Sequence, residues 1–237
     1  MIEILETYWR AFLWTDGNGF SGLAVTMCLL IVSVGIGFFI SIPLAVARVS
    51  PRRAIAGPVW VFTYFFRGTP LYVQLLLIYS GIYGLESVRS VDLLNAFFRS
   101  GFNCTLLAFT LNTCAYTTEM FAGSIKATYY GEIEAARAYG MNTFTLYRRI
   151  IIPGALRRVL PAYSNEVILM LHATSLAFTA TVPDILKVAR DANAATYKSF
   201  QAFGIAAVMY LVITFALIAL FRRAEHKWLA HLRPTTA

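Results

Sequence analysis

Charged residues are scarce in this chain of 237 residues, and their scarcity excludes most soluble folds. Asp, Glu, Lys and Arg make up 14% of the sequence, against about 25% in an ordinary soluble domain. Hydrophobic residues reach 58% and the mean hydropathy is +0.64, which also excludes intrinsic disorder. An integral membrane protein, whose apolar surface faces lipid, is the class that remains.

The sequence also lacks the motifs of several functional classes. Three cysteines are too few for a disulfide scaffold. No second His or Cys stands at metal-ligand spacing, so we predict no metal site. A phosphate-binding Gly-x4-Gly-Lys-Ser/Thr loop is missing, and no nucleophile–base pair stands out, so we expect neither ATP binding nor catalytic residues in this chain. The net charge of +8 does not indicate a nucleic-acid partner, because the basic residues lie between apolar runs. The acidic N-terminal region is unlike a cleavable signal peptide.

Apolar runs predict an all-α integral membrane protein with about five transmembrane helices. A spanning helix needs about 20 residues, and unbroken runs of that length are unlike the alternating strands of a membrane barrel. We place all five in a single transmembrane domain, 1–237. The predicted spans are approximately 20–47, 57–82, 102–123, 160–182 and 200–221. Pro43 marks the far end of the first span. The segment 67–70 interrupts the second span, and the sequence leaves open whether that span is broken there.

The basic residues indicate the orientation of the chain. Lys and Arg are enriched in cytoplasmic loops. Of the 20 basic residues, 13 fall on one side of the predicted topology and six on the other, with Arg67 inside a span. The regions that carry the 13 are 48–53, 126–158 and 222–233. The C-terminus is therefore predicted inside and the N-terminus outside. Aromatic residues near span ends are typical interface anchors. They include Trp14, Trp60 and Trp228.

The polar segment between the third and fourth spans predicts two short helices. Glu134 suits the first turns of one helix, where negative charge complements the helix dipole. Gly140 suits its C-terminal end. Asn142 or Thr143 can cap the second helix. Pro153 ends that helix or begins the turn into the fourth span.

That segment resembles the EAA loop of ABC-transporter permeases, in which Glu-Ala-Ala, Gly and Ile-x-Leu-Pro recur at fixed spacing. The matching residues are Glu134, Ala135, Ala136, Gly140, Ile150, Ile152 and Pro153. Ile152 replaces the usual Leu. The resemblance implies a MetI-like fold of the type I importers, in which the loop 124–158 carries cytoplasmic coupling helices. It implies that Glu134, Ala135, Ala136 and Gly140 dock on an ATPase subunit, with Ile150 and Pro153 in the same coupling segment.

Two further stretches resemble the polar amino-acid permeases, and within them the M-type membrane subunits of bacterial histidine/lysine/arginine/ornithine transporters. They are Phe66-Arg67-Gly68-Thr69-Pro70 and Val182-Pro183-Asp184-Ile185-Leu186. The resemblance implies half of a pathway for polar, basic amino acids in a bacterial inner membrane. Its implied partners are a homologous Q-type permease, an ABC ATPase homodimer, a periplasmic amino-acid-binding protein and membrane lipid. ATP and Mg would be used by the ATPase, with no cofactor bound by this chain.

Charged side chains inside the predicted spans are candidates for the pathway. A charge at a helix centre costs roughly 2.5–3.5 kcal/mol, so such a residue usually faces a cavity or a partner. Asn112, Tyr116 and Glu119 share one helical face. As a hypothesis, Glu119 lines the pathway together with Asn112, Tyr116 and Arg67, and attracts a cationic substrate. The alternatives are a position at the cytoplasmic end of the span, or pairing with Arg67 or a partner subunit.

A second function from another class stays open at this point. Glu119, Glu166 and His172 could form the proton relay of a secondary amino-acid carrier. Five spans without a detectable inverted repeat are few for such a carrier, and the EAA loop has no role in one.

Overall fold

The computed structural model describes residues 2–17 and 19–228. Arg233, one of the basic residues that predict the orientation, lies outside the described residues. In the described ranges all the regular elements are helices. The β-pairing in those ranges consists of two isolated β-bridges.

Twelve α-helices are described. In chain order they are α1 (Ile2–Leu13), α2 (Gly22–Arg48), α3 (Arg53–Gly68), α4 (Leu71–Leu76), α5 (Glu86–Arg89), α6 (Asp92–Phe98), α7 (Gly101–Lys126), α8 (Tyr130–Ala138), α9 (Thr143–Leu146), α10 (Ile152–Ala173), α11 (Ile185–Thr196) and α12 (Ser199–Trp228). Two π-helical segments, Leu77–Ile82 and Tyr147–Ile151, extend α4 and join α9 to α10. A 3₁₀ segment, Thr174–Ala180, follows α10.

Five helical units overlap the predicted spans, although the fourth unit, α10, begins at Ile152 and ends at Ala173, and length and apolarity alone support two or three of the five as membrane-crossing. By length and apolarity alone, α2 and α12 can each cross a membrane. A third candidate consists of α3 and α4 with its π-helical extension, which are bent by 104° at a short break. The second span is therefore broken at Thr69 and Pro70. Both residues have extended backbone, because the residue before a proline is disfavoured in the helical region and Pro70 has no N–H to continue the ladder.

The helix α7 lies at the centre of the bundle and packs against α2, α3, α4 and α10. Its buried side chains are mostly small or polar, which lowers its hydropathy although it lies in the interior. Small residues allow close helix approach: a Cβ added at Gly37 of α2 would lie 2.6 Å from Thr113 Cγ2 of α7. The main apolar core lies among α2, α4, α7 and α10, with Leu29, Phe109 and Leu171 fully buried.

Pro43 was predicted at the end of its helix and lies within it, whereas Pro153, predicted to end one helix or to begin the turn into the fourth span, lies in the first turn of α10. Pro43 is inside α2, which continues to Arg48. Pro153 is in the first turn of α10, and the helical run from Thr143 passes through it. Pro153 cannot donate the usual i→i−4 bond, and the preceding π-helical turns accommodate this, with Ile152 N–H bonded to Tyr147 O.

Candidate functional site

The predicted pair of short helices exists as a helical hairpin, residues 130–146, which we call the coupling hairpin. Gly140 ends α8 in the left-handed region, with φ +77°. Its N–H donates to Arg137 O at 2.9 Å, and Met141 N–H donates to Ala136 O at 3.1 Å, as in a Schellman motif. The Asn142 side chain caps α9 by accepting from Thr145 N at 2.8 Å. The predicted helix stop and the predicted cap are both confirmed.

The residues of the EAA motif divide between the surface and the interior of the chain. Glu134, Ala135 and Gly140 are exposed. Ala136 is 3% exposed and packs in a cluster with Ala45 of α2 and other core residues. Ala136 was predicted on the docking surface, but neighbouring positions of a helix point in different directions, and this one faces inward. Ala136 therefore holds α8 against the bundle.

Ile150 is half-buried and packs against the same cluster, and Pro153 is half-buried. Bonds from α10 hold the end of α7 and the residues that lead from it into the hairpin. Arg158 donates to Ser124 O at 3.1 Å and to Thr128 Oγ1 at 2.7 Å, and Ser124 Oγ donates to Ala155 O at 2.8 Å. Movement of the hairpin would therefore be passed to α10.

Large aromatic side chains surround the exposed residues of the hairpin. Their exposed fractions are 75% for Tyr129, 68% for Tyr130, 88% for Tyr139 and 72% for Phe144. Exposed aromatic residues are enriched at protein interfaces. Sequence reasoning missed them, although aromatic residues within a polar segment were a usable signal.

The predicted pathway residues of α7 come together at the break between α3 and α4. Asn112 Nδ2 donates to Phe66 O at 3.2 Å and to Gln74 Oε1 at 3.1 Å. Tyr116 OH donates to Arg67 O at 3.4 Å, and the Arg67 guanidinium lies 5.3 Å from the Tyr116 ring centroid. These bonds satisfy carbonyl groups that the break has freed, as a site in the membrane requires.

Gln74 completes this arrangement and was not predicted. It is 3% exposed, and its Nε2 lies 2.8 Å from Phe66 O and 2.9 Å from Thr69 O. A glutamine four residues after a predicted Pro break was the available signal.

Glu119 pairs with a residue that sequence reasoning had counted only as a loop charge. Its Oε1 accepts from Arg48 Nε at 2.7 Å and from Thr63 Oγ1 at 2.6 Å. The carboxylate therefore joins the end of α2 to α3 and α7. Of the alternatives, pairing within the chain is the one this geometry favours, with Arg48 as the partner in place of Arg67.

Glu166 and His172 lie apart from that pair. Glu166 is 5% exposed on α10, and no Lys or Arg of the described residues lies within 4 Å of its carboxylate. His172 Nε2 lies 3.3 Å from Thr214 Oγ1 of α12. Within the described part of the chain no hydrogen bond joins Glu119, Glu166 and His172 into a relay.

Asp184, which lies outside the predicted spans, forms a buried junction at the other end of α2. Its carboxylate caps α11 by accepting from Leu186 N at 3.1 Å and Lys187 N at 2.9 Å, and Tyr210 OH donates to it at 3.4 Å. Burial raises the pKa of Asp184 to about 6, although these hydrogen bonds act in the opposite direction.

The chain matches a known protein family over residues 37–229, described as binding-protein-dependent transport system inner membrane component. The chain belongs to this family. It is 66% identical over 236 residues to the histidine/lysine/arginine/ornithine transport system permease protein HisM of Escherichia coli, covering 100% of this chain and 99% of that protein. The nopaline transport system permease protein NocM of Agrobacterium fabrum is 41% identical, covering 90% of this chain and 88% of that protein.

Solved structures agree with this assignment. A crystal structure of an amino acid ABC transporter with histidines matches with a TM-score of 0.79 and 30% identity, covering 94% of this chain and 96% of that chain. The MetNI methionine ABC transporter matches with a TM-score of 0.68, covering 87% of this chain and 94% of that chain, and at 16% identity it shows the fold alone.

The predicted family and fold class are confirmed: the chain is a membrane-embedded permease of the ABC importers of the polar amino-acid type. As a permease of a binding-protein-dependent system, it works with an ATPase and a substrate-binding protein.

Proposed function

We propose that this permease forms half of a translocation pathway for basic amino acids and transmits the motion of an ATPase through the coupling hairpin. The observation that carries this proposal is the hairpin itself. It presents Glu134, Ala135 and Gly140 outward, while Ala136 packs in a cluster that includes Ala155 of α10, and Arg158 of α10 bonds the segment just before the hairpin. A rigid attachment of this kind converts movement of a docked subunit into movement of a spanning helix.

The proposed arrangement places the N-terminus in the periplasm and the C-terminus in the cytoplasm, on the charge distribution given above. A separate ABC ATPase homodimer would hydrolyse ATP with Mg, and this chain would bind no cofactor. The second half of the pathway would be a homologous Q-type permease. HisM is named as a permease of a histidine/lysine/arginine/ornithine transport system. The similarity of this chain to HisM supports basic amino acids as its substrates.

Copurification and ATPase measurements test this proposal. We expect the full chain, purified in mild detergent, to bring down an ATPase and a second permease. After reconstitution with the binding protein, arginine or histidine should stimulate ATP hydrolysis more than a neutral amino acid does. Uptake that follows a proton gradient, with no ATPase in the complex, would contradict the proposal.

The carboxylates of the predicted spans provide a sharper test of the substrate class. Glu119 has a cationic partner at 2.7 Å, whereas the buried Glu166 has no Lys or Arg of the described residues within 4 Å, and the charge of Arg67 acts on it only from further away. We therefore assign attraction of the cationic substrate to Glu166, with Glu119, Asn112, Tyr116 and Arg67 supporting the wall of the pathway.

The expected result is that Glu166→Gln lowers arginine uptake at least tenfold relative to that of a neutral amino acid. Glu119→Gln should lower both by a similar factor, because it leaves Arg48 without its partner. If Glu119→Gln instead lowers arginine uptake selectively, the cationic substrate is attracted by Glu119.

A further inference from the structure

A basic cavity lies where α10 begins and α12 ends. Its volume is about 430 Å³. The residues that line it are Pro153, Leu156, Arg157, Lys227 and Trp228. Arg157, Lys227 and Trp228 are exposed, and the described lining includes no carboxylate. Arg157 and Lys227 belong neither to the coupling hairpin nor to the predicted pathway.

Helix geometry places both cations at the level of lipid headgroups. The apolar run of α12 ends at Phe221, and Lys227 lies six residues further, which is about 9 Å along a helix. Arg157 precedes the apolar run of α10 by three residues, or about 4.5 Å. The headgroup layer extends about 5–7 Å beyond the hydrocarbon core on each side, so Arg157 lies within it, and the long side chain of Lys227 can reach back to it.

The remaining lining residues fit the same level. Trp228 is an aromatic residue at a span end, and such residues concentrate where the membrane meets water. Pro153 and Leu156 add an apolar wall beside the charges. A ligand for this cavity would therefore combine a negative group with apolar chains.

We propose that this cavity binds the phosphate group of an anionic phospholipid. Arg157 and Lys227 would contact the phosphate from two different helices, with the acyl chains running along the apolar surfaces of α10 and α12. Basic pockets between spanning helices on the cytoplasmic side are suited to anionic lipid headgroups. The proposal needs only that the chain is embedded in a membrane. The choice of the cytoplasmic leaflet rests on the proposed orientation.

A bound lipid at this position would connect α12 to the start of α10, which directly follows the coupling hairpin. Pro153 belongs both to the EAA motif and to the cavity wall. Anionic lipid would thus stabilise the packing of α10 on α12 next to the segment that carries the ATPase motion.

The test measures lipid binding directly. The full chain is purified with the proteins that copurify with it and titrated with phosphatidylglycerol or phosphatidylcholine of the same acyl chains, and bound lipids are counted by native mass spectrometry. The test variant is R157Q/K227Q. The matched control, R52Q/R53Q, removes the same charge from exposed arginines on the same predicted side, away from the cavity.

We expect the apparent affinity for phosphatidylglycerol to fall about thirtyfold in R157Q/K227Q, from the loss of two basic groups near the membrane surface. The control should change it less than threefold, and phosphatidylcholine should bind more weakly than phosphatidylglycerol to the unmodified chain. Millimolar inorganic phosphate should not displace the lipid.

Several results would overturn the proposal. The affinity for phosphatidylglycerol could fall equally in the two double variants, or stay unchanged in R157Q/K227Q. The two lipids could bind equally well, or inorganic phosphate could displace the bound lipid. Lipid binding that appears only after deletion of residues 229–237 would assign the cavity to that segment. If R157Q/K227Q fails to fold, photoactivatable phosphatidylglycerol is crosslinked to the unmodified chain. Adducts at 153–157 or 227–228 support the site, and adducts spread evenly over the spans contradict it.

Discussion

The two ends of α2, about 40 Å apart for a helix of 27 residues, are held in different ways. At its start, Gly22 N–H donates to Pro183 O at 2.7 Å, and Ile185 N–H donates to Thr26 Oγ1 at 3.2 Å. Asp184, between these contacts, is fully buried. At its other end, Ala45 packs against Ala136 and its cluster, and the coupling hairpin carries aromatic side chains that are 68–88% exposed.

This difference separates a fixed joint from a docking surface. The hydrogen-bonding groups that join the start of α2 to the start of α11 are buried and have partners within the chain, so disturbing them leaves polar groups unsatisfied. The coupling hairpin needs only its inner face for folding, and its outer face is available to another protein. Changes at the first end should therefore affect stability, and changes on the outer face of the second should affect coupling.

The largest effect is expected for Gly22→Ala. Gly22 has φ +58°, and an added Cβ would overlap the carbonyl oxygens of Phe12 and Ala11. The left-handed backbone and the overlap together should lower the free energy of unfolding by about 3–5 kcal/mol. Thermal unfolding in detergent measures the change.

Gly140→Ala is the matched control, because Gly140 also has positive φ, +77°, but nothing lies within 4 Å of an added Cβ. Only the cost of the left-handed backbone conformation remains, so we expect the free energy of unfolding to fall by about 1 kcal/mol. Equal losses for the two glycines would remove the distinction between the ends of α2.

The next effect is a pH dependence at Asp184. Its pKa is raised by burial from 3.8 to about 6, so the folded state holds this proton more tightly than the unfolded state does. The free energy of unfolding should therefore decrease as the pH rises from about 4 to about 6, and by at most about 3 kcal/mol from this group. Thermal unfolding between pH 4 and pH 7 should show this slope. Asp184→Asn should flatten it, and an unchanged slope in that variant would assign the dependence to other groups.

Local chemistry explains most of what the sequence predicted well. The Gly140 stop and the Asn142 cap depend on residues within one helical turn, so their positions could be predicted without a fold. The family assignment depended on a long motif of fixed spacing. The break after Gly68 was recognised as an interruption, but its angle of 104° depends on packing against α7.

Pairings between distant segments could not be predicted. Glu119 and Arg48 are 71 residues apart, and their contact exists only because α2 and α7 pack along their length. Asp184 belonged to a recognised motif, yet its burial depends on α2, α11 and α12 together. Ala135 and Ala136 are identical residues in one motif, and only the packed structure distinguishes the outward from the inward position.

That pair of alanines provides the smallest and most selective prediction. Ala136→Leu adds three carbon atoms to a buried position in a core cluster and should lower the free energy of unfolding by about 2 kcal/mol. Ala135→Leu adds the same atoms to an exposed position and should change it by less than about 0.5 kcal/mol.

When the coupling of ATP hydrolysis to uptake is measured, the larger effect is expected for Ala135→Leu instead of Ala136→Leu. Ala135→Leu should uncouple ATP hydrolysis from uptake in the reconstituted transporter, because a larger side chain keeps the ATPase from close approach to α8. Ala136→Leu, at a temperature where it is folded, should retain more of that coupling. If the Ala135→Leu variant transports normally while the Ala136→Leu variant does not, then the ATPase docks on another face of the coupling hairpin. Tyr139, whose ring is exposed, is then the first residue to replace.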